Sequence, residues 1–426
     1  MLITKFKHKL TSTDEKRHLT SNIFSLGALQ GANYILPLLT VPYLVRVLGP
    51  EYFGLLAFST AIIAYFMLIT DYGFNLSATR QISIHRDDKT KVNEIFSSVM
   101  MIKTALMLVS FVLMSLLVFS FEKFSQHWEL YFISFGMVIG QILFPVWLFQ
   151  GMERMKYITY LNLGSKTFFT ICVFIFVQKQ ADYLMVPLLT AFGFIISGVW
   201  SLYLVKKEFA VSFSWQPMPT VKFQLAEGWH VFFSSMAISL YTISATFILG
   251  LFTNNSVVGY FSAADKIVQA AKGLYMPVSQ AIYPLIGKKI HEDKQAGLEF
   301  IKKTTWWVGT GMFLTSLALF LLAEPIIHLL LGNQYERSVL LLQVMAFLPF
   351  IVTLSNIYAV QTMLNLGYKQ AFSRILIMAA VIGVGLSFLL VPVYEDLGAA
   401  VTLLIVEVFV TVVMYFYLKL KLKAVQ

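Results

Sequence analysis

Charge is scarce in this sequence. Asp, Glu, Lys and Arg make up 13% of its 426 residues, about half the share of a soluble domain. Too little polar surface is left to cover a water-soluble particle of this length, which excludes a globular enzyme or binding domain in solution. Cysteine is almost missing: Cys172 is the single thiol, so an internal disulfide, a redox pair and a cysteine-based metal site are excluded. It lies in the apolar run 168–177 and reads as a small core residue. The sequence has no metal-spaced His/Cys cluster, no paired carboxylates and no glycine-rich phosphate loop, and its seven His are scattered, mostly at loop positions. Neither a metal nor a cofactor is expected. The first apolar run lacks the small-residue cleavage pattern of a secretory signal, so it is expected to stay as a helix.

Apolar side chains are what the sequence has in excess. Hydrophobic residues are 58% of the chain, aromatics 15% with 38 Phe, and the mean hydropathy is +0.74. They fall in continuous runs near the ~20 residues that cross a bilayer as a helix, not in the short alternating segments of a β-barrel. Twelve runs are expected, at 22–47, 53–79, 96–119, 130–150, 157–177, 183–205, 229–251, 258–287, 304–323, 338–364, 371–391 and 397–418. The longest polar stretch, 206–227, lies midway and carries Pro217 and Pro219. The expected domains are therefore 1–205, a linker at 206–228, and 229–426.

The formal net charge is +10, and its distribution explains it. Alternate loops, beginning with the N-terminus and ending with the C-terminus, hold 24 Lys and Arg, whereas the opposite set holds four: Arg46, Lys123, Lys179 and Arg337. Basic residues mark the cytoplasmic side of a membrane protein. Both termini are thus expected to be cytoplasmic, and no nucleic-acid partner is needed. The last four lysines, Lys103, Lys166, Lys266 and Lys272, fall inside helices.

The two halves resemble each other. Gln150-Gly-Met152 through Tyr157 and Gln361-Thr-Met363 through Tyr368 both read Q-x-M-x4-Y, and the turn from Gly49 to Gly54 corresponds in position to that from Asn254 to Gly259. Six helices per half with both termini inside implies a parallel repeat about an axis along the membrane normal, with a substrate path between the halves. The expected fold class is an all-α membrane protein of about 12 transmembrane helices in two pseudo-symmetric six-helix lobes around a central cavity.

The stretch Asn33-Tyr-Ile-Leu-Pro37-Leu-Leu-Thr-Val-Pro42-Tyr-Leu-Val-Arg46-Val-Leu-Gly49-Pro50-Glu51-Tyr-Phe-Gly54, followed by Asp71-Tyr-Gly73-Phe-Asn75, resembles the Wzx-type O-antigen and polysaccharide flippases. These belong to the multidrug, oligosaccharidyl-lipid and polysaccharide exporter superfamily. The second half is similar more loosely, through Gly259-Tyr-Phe-Ser-Ala-Ala-Asp265-Lys266 and Pro284. The resemblance implies alternating access between two lobes. It also implies a bacterial inner (cytoplasmic) membrane location and a substrate of undecaprenyl diphosphate carrying a short oligosaccharide. Membrane lipid and other polysaccharide-assembly proteins are the further partners it implies.

Such a substrate sets two physical conditions. Its tail cannot enter water, at about 0.8 kcal/mol per methylene, and its diphosphate and sugars are as badly placed in hydrocarbon. Cations and polar faces at bilayer depth are what it requires. Ser262, Asp265, Gln269, Lys272, Met276 and Ser279 recur at helical spacing on one face, and Lys272 lies about 22 Å into its span at 1.5 Å per residue. An uncompensated charge there would cost on the order of 3 kcal/mol or more, so Lys272 needs a wet cavity or a partner. Lys166, Lys266, Lys103, Asp265, Gln269 and Asn33 complete the expected substrate-binding set; Lys103 and Lys266 lie near enough to a boundary to snorkel instead. Gating or coupling is assigned to Asp71, Asn75, Arg46, Glu51 and Glu407. For a buried Asp71 or Glu407, pairing with a lysine and carrying a coupling proton are both open. Arg46 is either one half of a gating pair with Glu51 or an interfacial anchor. Pro37 and Pro42 are expected to interrupt the first helix, and Pro277 and Pro284 the eighth.

Three rival classes fit the sequence less well. An ion-coupled small-molecule exporter of the same superfamily would handle cationic cargo poorly beside four lysines. A major-facilitator transporter would carry a Gly-Asp-Arg pattern after its second helix, where this chain has Ser77-Ala-Thr-Arg-Gln. A membrane polysaccharide polymerase or ligase would need a large extramembrane loop with catalytic groups, and the longest opposite-side connection is only 324–337. An enzyme is not expected.

Overall fold

The computed structural model describes residues 14–423, and side chains from residue 36 onward except at 38, 230, 234, 237, 238, 241, 242, 281 and 423. Every regular element among the described residues is a helix. Helix α1 (Asp14–Asp71) is two arms joined at Gly49, whose φ of 70° and ψ of 174° only glycine enters without strain. The helix runs through Pro37 and Pro42 with helical dihedrals, correcting the expected interruption. Within an apolar span, surrounding helices hold the ladder together around a missing donor.

The chain continues through α2 (Phe74–His85), α3 (Lys89–Ser120), α4 (Trp128–Leu143), α5 (Val146–Gly151), α6 (Met155–Phe176), α7 (Met185–Phe209) and α8 (Met218–Phe252). The later elements are α9 (Asn255–Gly273), α10 (Met276–Glu292), α11 (Lys294–Leu321), α12 (Ala323–Leu330), α13 (Arg337–Met345) and α14 (Leu348–Asn356). A π-helical run, Ile357–Leu364, and α15 (Lys369–Lys423) complete the chain. Glu395, with φ 50° and ψ −126°, divides α15 into two arms.

Eight segments among the described residues are long and apolar enough to cross a bilayer. Two of these, Leu39–His85 and Lys369–Leu422, contain the breaks at Gly49 and Glu395. With those arms counted separately, and with α8 and the α9–α10 pair included, the order is that of the twelve expected spans. The two helices of the α9–α10 pair are each shorter than any of those eight segments. Burial is inverted relative to a soluble protein: only 28% of the apolar window of α3 is buried, with Leu108, Val112, Leu116 and Phe119 exposed. Such positions face hydrocarbon.

By internal contact the chain forms two units, Met1–Thr40 with Ile62–Met236, and Val41–Ala61 with Ala237–Gln426. Helices α1 and α8 therefore each contribute to both. In the first unit, α4 and α7 pack closely because Gly140 and Gly198 admit the neighbouring backbone: a Cβ on Gly140 would lie 2.5 Å from the Phe194 backbone carbon, and one on Gly198 2.8 Å from the Gly140 carbonyl oxygen.

In the second unit, the turn after Gly49 meets the turn before Gly259. A Cβ on Gly54 would lie 1.8 Å from the Asn255 carbonyl oxygen, and one on Gly259 2.0 Å from the Pro50 carbonyl oxygen. These are the two turns that correspond in the sequence repeat. The contact is reciprocal, as across a two-fold interface, with each glycine facing the counterpart of the residue that faces the other.

A salt-bridge clasp closes α15 on the same unit. Arg337 reaches Glu395 Oε2 at 2.6 Å and Asp396 Oδ2 at 2.7 Å, and Asp396 is 2% exposed. Arg337 is itself half-exposed, so its removal strands only the buried Asp396 carboxylate, at a cost of about 1–3 kcal/mol. Arg337→Met is accordingly expected to lower the unfolding temperature of the purified protein by a few degrees, and Arg337→Met with Asp396→Asn to recover most of the loss. An unchanged melting curve for the single variant would refute this role.

Candidate functional site

In the first unit, the site is built on a broken helix. Tyr72 (φ 48°) and Gly73 (φ 75°) are consecutive left-handed residues between α1 and α2. The break is held by α8: Tyr72 stacks on Phe232 with centroids 4.9 Å apart, and Cβ atoms on Gly73 and Gly228 would fall 2.7 Å from Val231 and 2.9 Å from Tyr72. Asp71, on the last turn before the break, lies 3.6 Å from Lys103 Nζ of α3 and accepts a 2.8 Å hydrogen bond from Asn75 Nδ2. Lys103 is 1% exposed. The structure thus brings three expected residues together, as a buried cation held by a carboxylate that in turn accepts from an amide. One turn beyond, Thr79 reaches Gln150 Oε1 at 3.3 Å, and Gln81 and Gln224 exchange amide hydrogen bonds of 2.9 and 2.8 Å.

The second unit also has a helix break, at Leu274–Tyr275 between α9 and α10. Pro277 does not interrupt a continuous helix; it sits in the first turn of α10, where its missing N–H costs nothing, and Pro284 lies within α10. The expected polar face is therefore divided: Ser262, Asp265, Gln269 and Lys272 lie on α9, and Met276 and Ser279 on α10. Lys272 and Asp265 are half-buried, Ser262 and Ser279 buried, and Gln269 and Lys266 exposed. Glu407 of α15 is half-buried and within electrostatic range of the Lys272 ammonium, but no ion pair within 4 Å joins the two among the described residues.

At the α9–α10 break, Tyr275 and Ser279 donate to Asn356 Oδ1 at 3.2 and 3.0 Å, and Gln361 Nε2 donates to Ser279 Oγ at 2.9 Å. Sequence reasoning did not place Tyr275, Asn356 or Gln361 at a site. The signal was the repeated Q-x-M: Gln150 and Gln361 each extend from the end of their unit's fourth crossing to the second.

With this geometry in view, comparison with known proteins is direct. Residues 19–290 match the family described as Polysaccharide biosynthesis protein. The chain belongs to that family. Among its relatives, an Escherichia coli (strain K12) protein named "Putative O-antigen transporter" is 35% identical over 404 residues, covering 95% of this chain and 97% of its own. A Shigella dysenteriae protein of the same name is 30% identical, over 93% of this chain and 99% of its own. Two solved structures share the fold. Lipid II flippase MurJ in an inward closed conformation has a TM-score of 0.70 at 15% identity, covering 94% of this chain and 87% of its own. An inward-facing multidrug resistance MATE transporter has a TM-score of 0.67 at 13% identity, covering 91% and 95%.

Three further expected residues of this polysaccharide biosynthesis protein each have their own setting. Lys166 is half-buried on α6. Arg46 donates to the Leu329 main-chain carbonyl of α12, while Glu51 is exposed at the turn. Asn33 falls outside the residues whose side chains are described.

Proposed function

We propose that the chain is a flippase that carries undecaprenyl-diphosphate-linked oligosaccharide, an O-antigen repeat unit, from the cytoplasmic to the periplasmic leaflet by alternating access. Family membership, the O-antigen transporter names of its relatives and a fold shared with a lipid flippase support this reading. The observation that carries the chemistry is Lys272. It is a half-buried ammonium on a polar helix of an otherwise apolar chain, with the Glu407 carboxylate within its electrostatic range. A cation so placed can take up a phosphate oxygen without being stranded in a dry interior. Lys166 of the first unit is the second candidate cation, and Asp265 and Gln269, on α9 with Lys272, are candidates to hydrogen-bond the sugars. Lys103, held by Asp71, serves the helix break in place of the cargo.

The fold is shared with a multidrug transporter, which supports the alternative of an ion-coupled small-molecule exporter. Depletion in cells making a surface polysaccharide separates the two. Lipid-linked repeat units should accumulate on the cytoplasmic leaflet; an unaltered distribution between leaflets would defeat the flippase reading. At normal protein levels, Lys272→Ala is expected to abolish export and Lys272→Arg to retain part of it. Equal export by Lys272→Ala and the unaltered chain would make this lysine structural.

A further inference from the structure

A groove of about 960 Å³ runs between α11, the π-helical run and the end of α15, all within the second unit. Its walls are Trp306, Trp307, Tyr358 and Tyr415, with Leu418 and Leu422, and three lysines stand at its edge: Lys302, Lys303 and Lys419. Glu299 is the one acidic residue in the lining, so the mouth carries an excess of two positive charges. None of the three lysines has a carboxylate within 4 Å among the described residues. Lys419 Nζ lies 5.8 Å from the Tyr415 ring centroid, and Trp306 and Trp307 meet edge to face at 4.7 Å while remaining exposed. Tryptophan beside lysine is the composition of the membrane–water boundary. The groove occupies the end of the unit that carries the basic segments 288–303 and 419–423.

We propose that this groove is a docking site for an anionic glycerophospholipid of the bilayer, with its phosphate among Lys302, Lys303 and Lys419 and its acyl chains along Trp306, Tyr358 and Tyr415. Basic pockets between membrane helices bind anionic head groups. The apolar and aromatic wall is far longer than a free phosphate would use, which calls for a lipid. The area of the lining is mostly apolar, which suits acyl chains better than a row of sugars and favours a phospholipid over a lipid-linked oligosaccharide. The assignment does not depend on what the chain transports.

The occupant would also brace an unusual backbone. Tyr358 and Thr362 line the groove from the π-helical run, and the Thr362 hydroxyl donates to the Ile357 carbonyl five residues back at 2.8 Å. Gln361 of the same run leaves in another direction, to Ser279 of α10. A lipid in the groove therefore presses on the segment that positions the α9–α10 break. π-Helical insertions are rare and concentrate at functional sites.

The test is native mass spectrometry of the purified full chain with phosphatidylglycerol, cardiolipin, phosphatidylethanolamine and undecaprenyl phosphate offered in turn. The two anionic phospholipids are expected to be retained in preference to phosphatidylethanolamine. Lys302→Gln, Lys303→Gln and Lys419→Gln together should weaken that retention about 100-fold, fivefold for each lysine, corresponding to about 1 kcal/mol apiece. A control triple variant at Lys89, Lys91 and Lys206 of the first unit should retain them unchanged. Lys419→Gln alone, which leaves α11 untouched, should show the fivefold step if the triple variant does not fold. Unchanged retention by the groove variants, equal retention of phosphatidylethanolamine, or displacement of the phospholipids by undecaprenyl phosphate would each overturn the proposal.

Discussion

Alanine at Gly54 is expected to abolish export of the surface polysaccharide while leaving the amount of inserted protein unchanged. One methyl group suffices because the atom it meets belongs to backbone: the Asn255 carbonyl oxygen would stand 1.8 Å away and the Gly259 nitrogen 2.5 Å. No rotamer change relieves an overlap with main chain, so residues 41–61 must part from the 254–259 turn. Gly259→Ala meets the Pro50 carbonyl oxygen at 2.0 Å and should have the same effect. Because either substitution separates the same two turns, the double variant should be little worse than each single one, a non-additivity expected of groups that share one contact. Val258 is fully buried, so a cysteine placed there in a Cys172→Ser background reports the separation through labelling by a membrane-impermeant maleimide. Wild-type export by Gly54→Ala, or protection at position 258 equal to that of the parent, would remove the contact from the transport cycle.

Lys103→Met is expected to unfold much of the first unit, and Lys103→Met with Asp71→Leu to restore it. The single variant leaves the Asp71 carboxylate beside an apolar side chain with Asn75 as its neutral donor, a loss of about 3–5 kcal/mol for a broken buried pair. Removing both charges trades a costly ion pair for apolar packing, which is often neutral or better. Circular dichroism melting of the purified single and double variants measures the cycle. If the double variant folds yet fails to export, Asp71 has a task beyond holding Lys103; if the single variant melts with the parent, the pair is not structural at all.

Much of the fold could be read before any coordinate. Low charge and runs of bilayer length define an all-helical membrane protein, because in hydrocarbon every backbone group must be satisfied within its own segment. The turn at Gly49 was visible as Gly-Pro between two apolar runs. Helix interruptions were harder. Prolines at 37 and 42 suggested breaks that neighbouring helices suppress, whereas the real break at Tyr72–Gly73 lies in a stretch that reads as continuous helix. Its cause is distant: Phe232 and Gly228 of α8 hold Tyr72 in a left-handed conformation, and local propensity carries no trace of residues so far along the chain. The π-helical run likewise has no composition of its own.

The candidate sites were legible as residue types and not as pairs. Lys103 and Asp71 were each picked out by their depth, as were Lys272 and Glu407, because ionisable groups at such depth demand an explanation, and Asn75 by its place one turn from Asp71. Which carboxylate meets which lysine depends on how α3 crosses the end of α1 and how α9 crosses α15, and helical periodicity fixes only the face of each helix. Arg46 shows the same limit: its sequence neighbour Glu51 suggested an ion pair, and the structure directs it instead to a carbonyl on α12.

The reciprocal meeting of the two glycine turns also constrains biosynthesis. Residues 41–61 leave the ribosome roughly 200 residues ahead of the turn they pack against, a wait of about 10–40 s at 5–20 residues per second. Throughout that interval the arm is in place without its counterpart. The second unit can close only after the middle of the chain has been inserted, and a nascent chain arrested before residue 254 would leave this arm permanently without its mate.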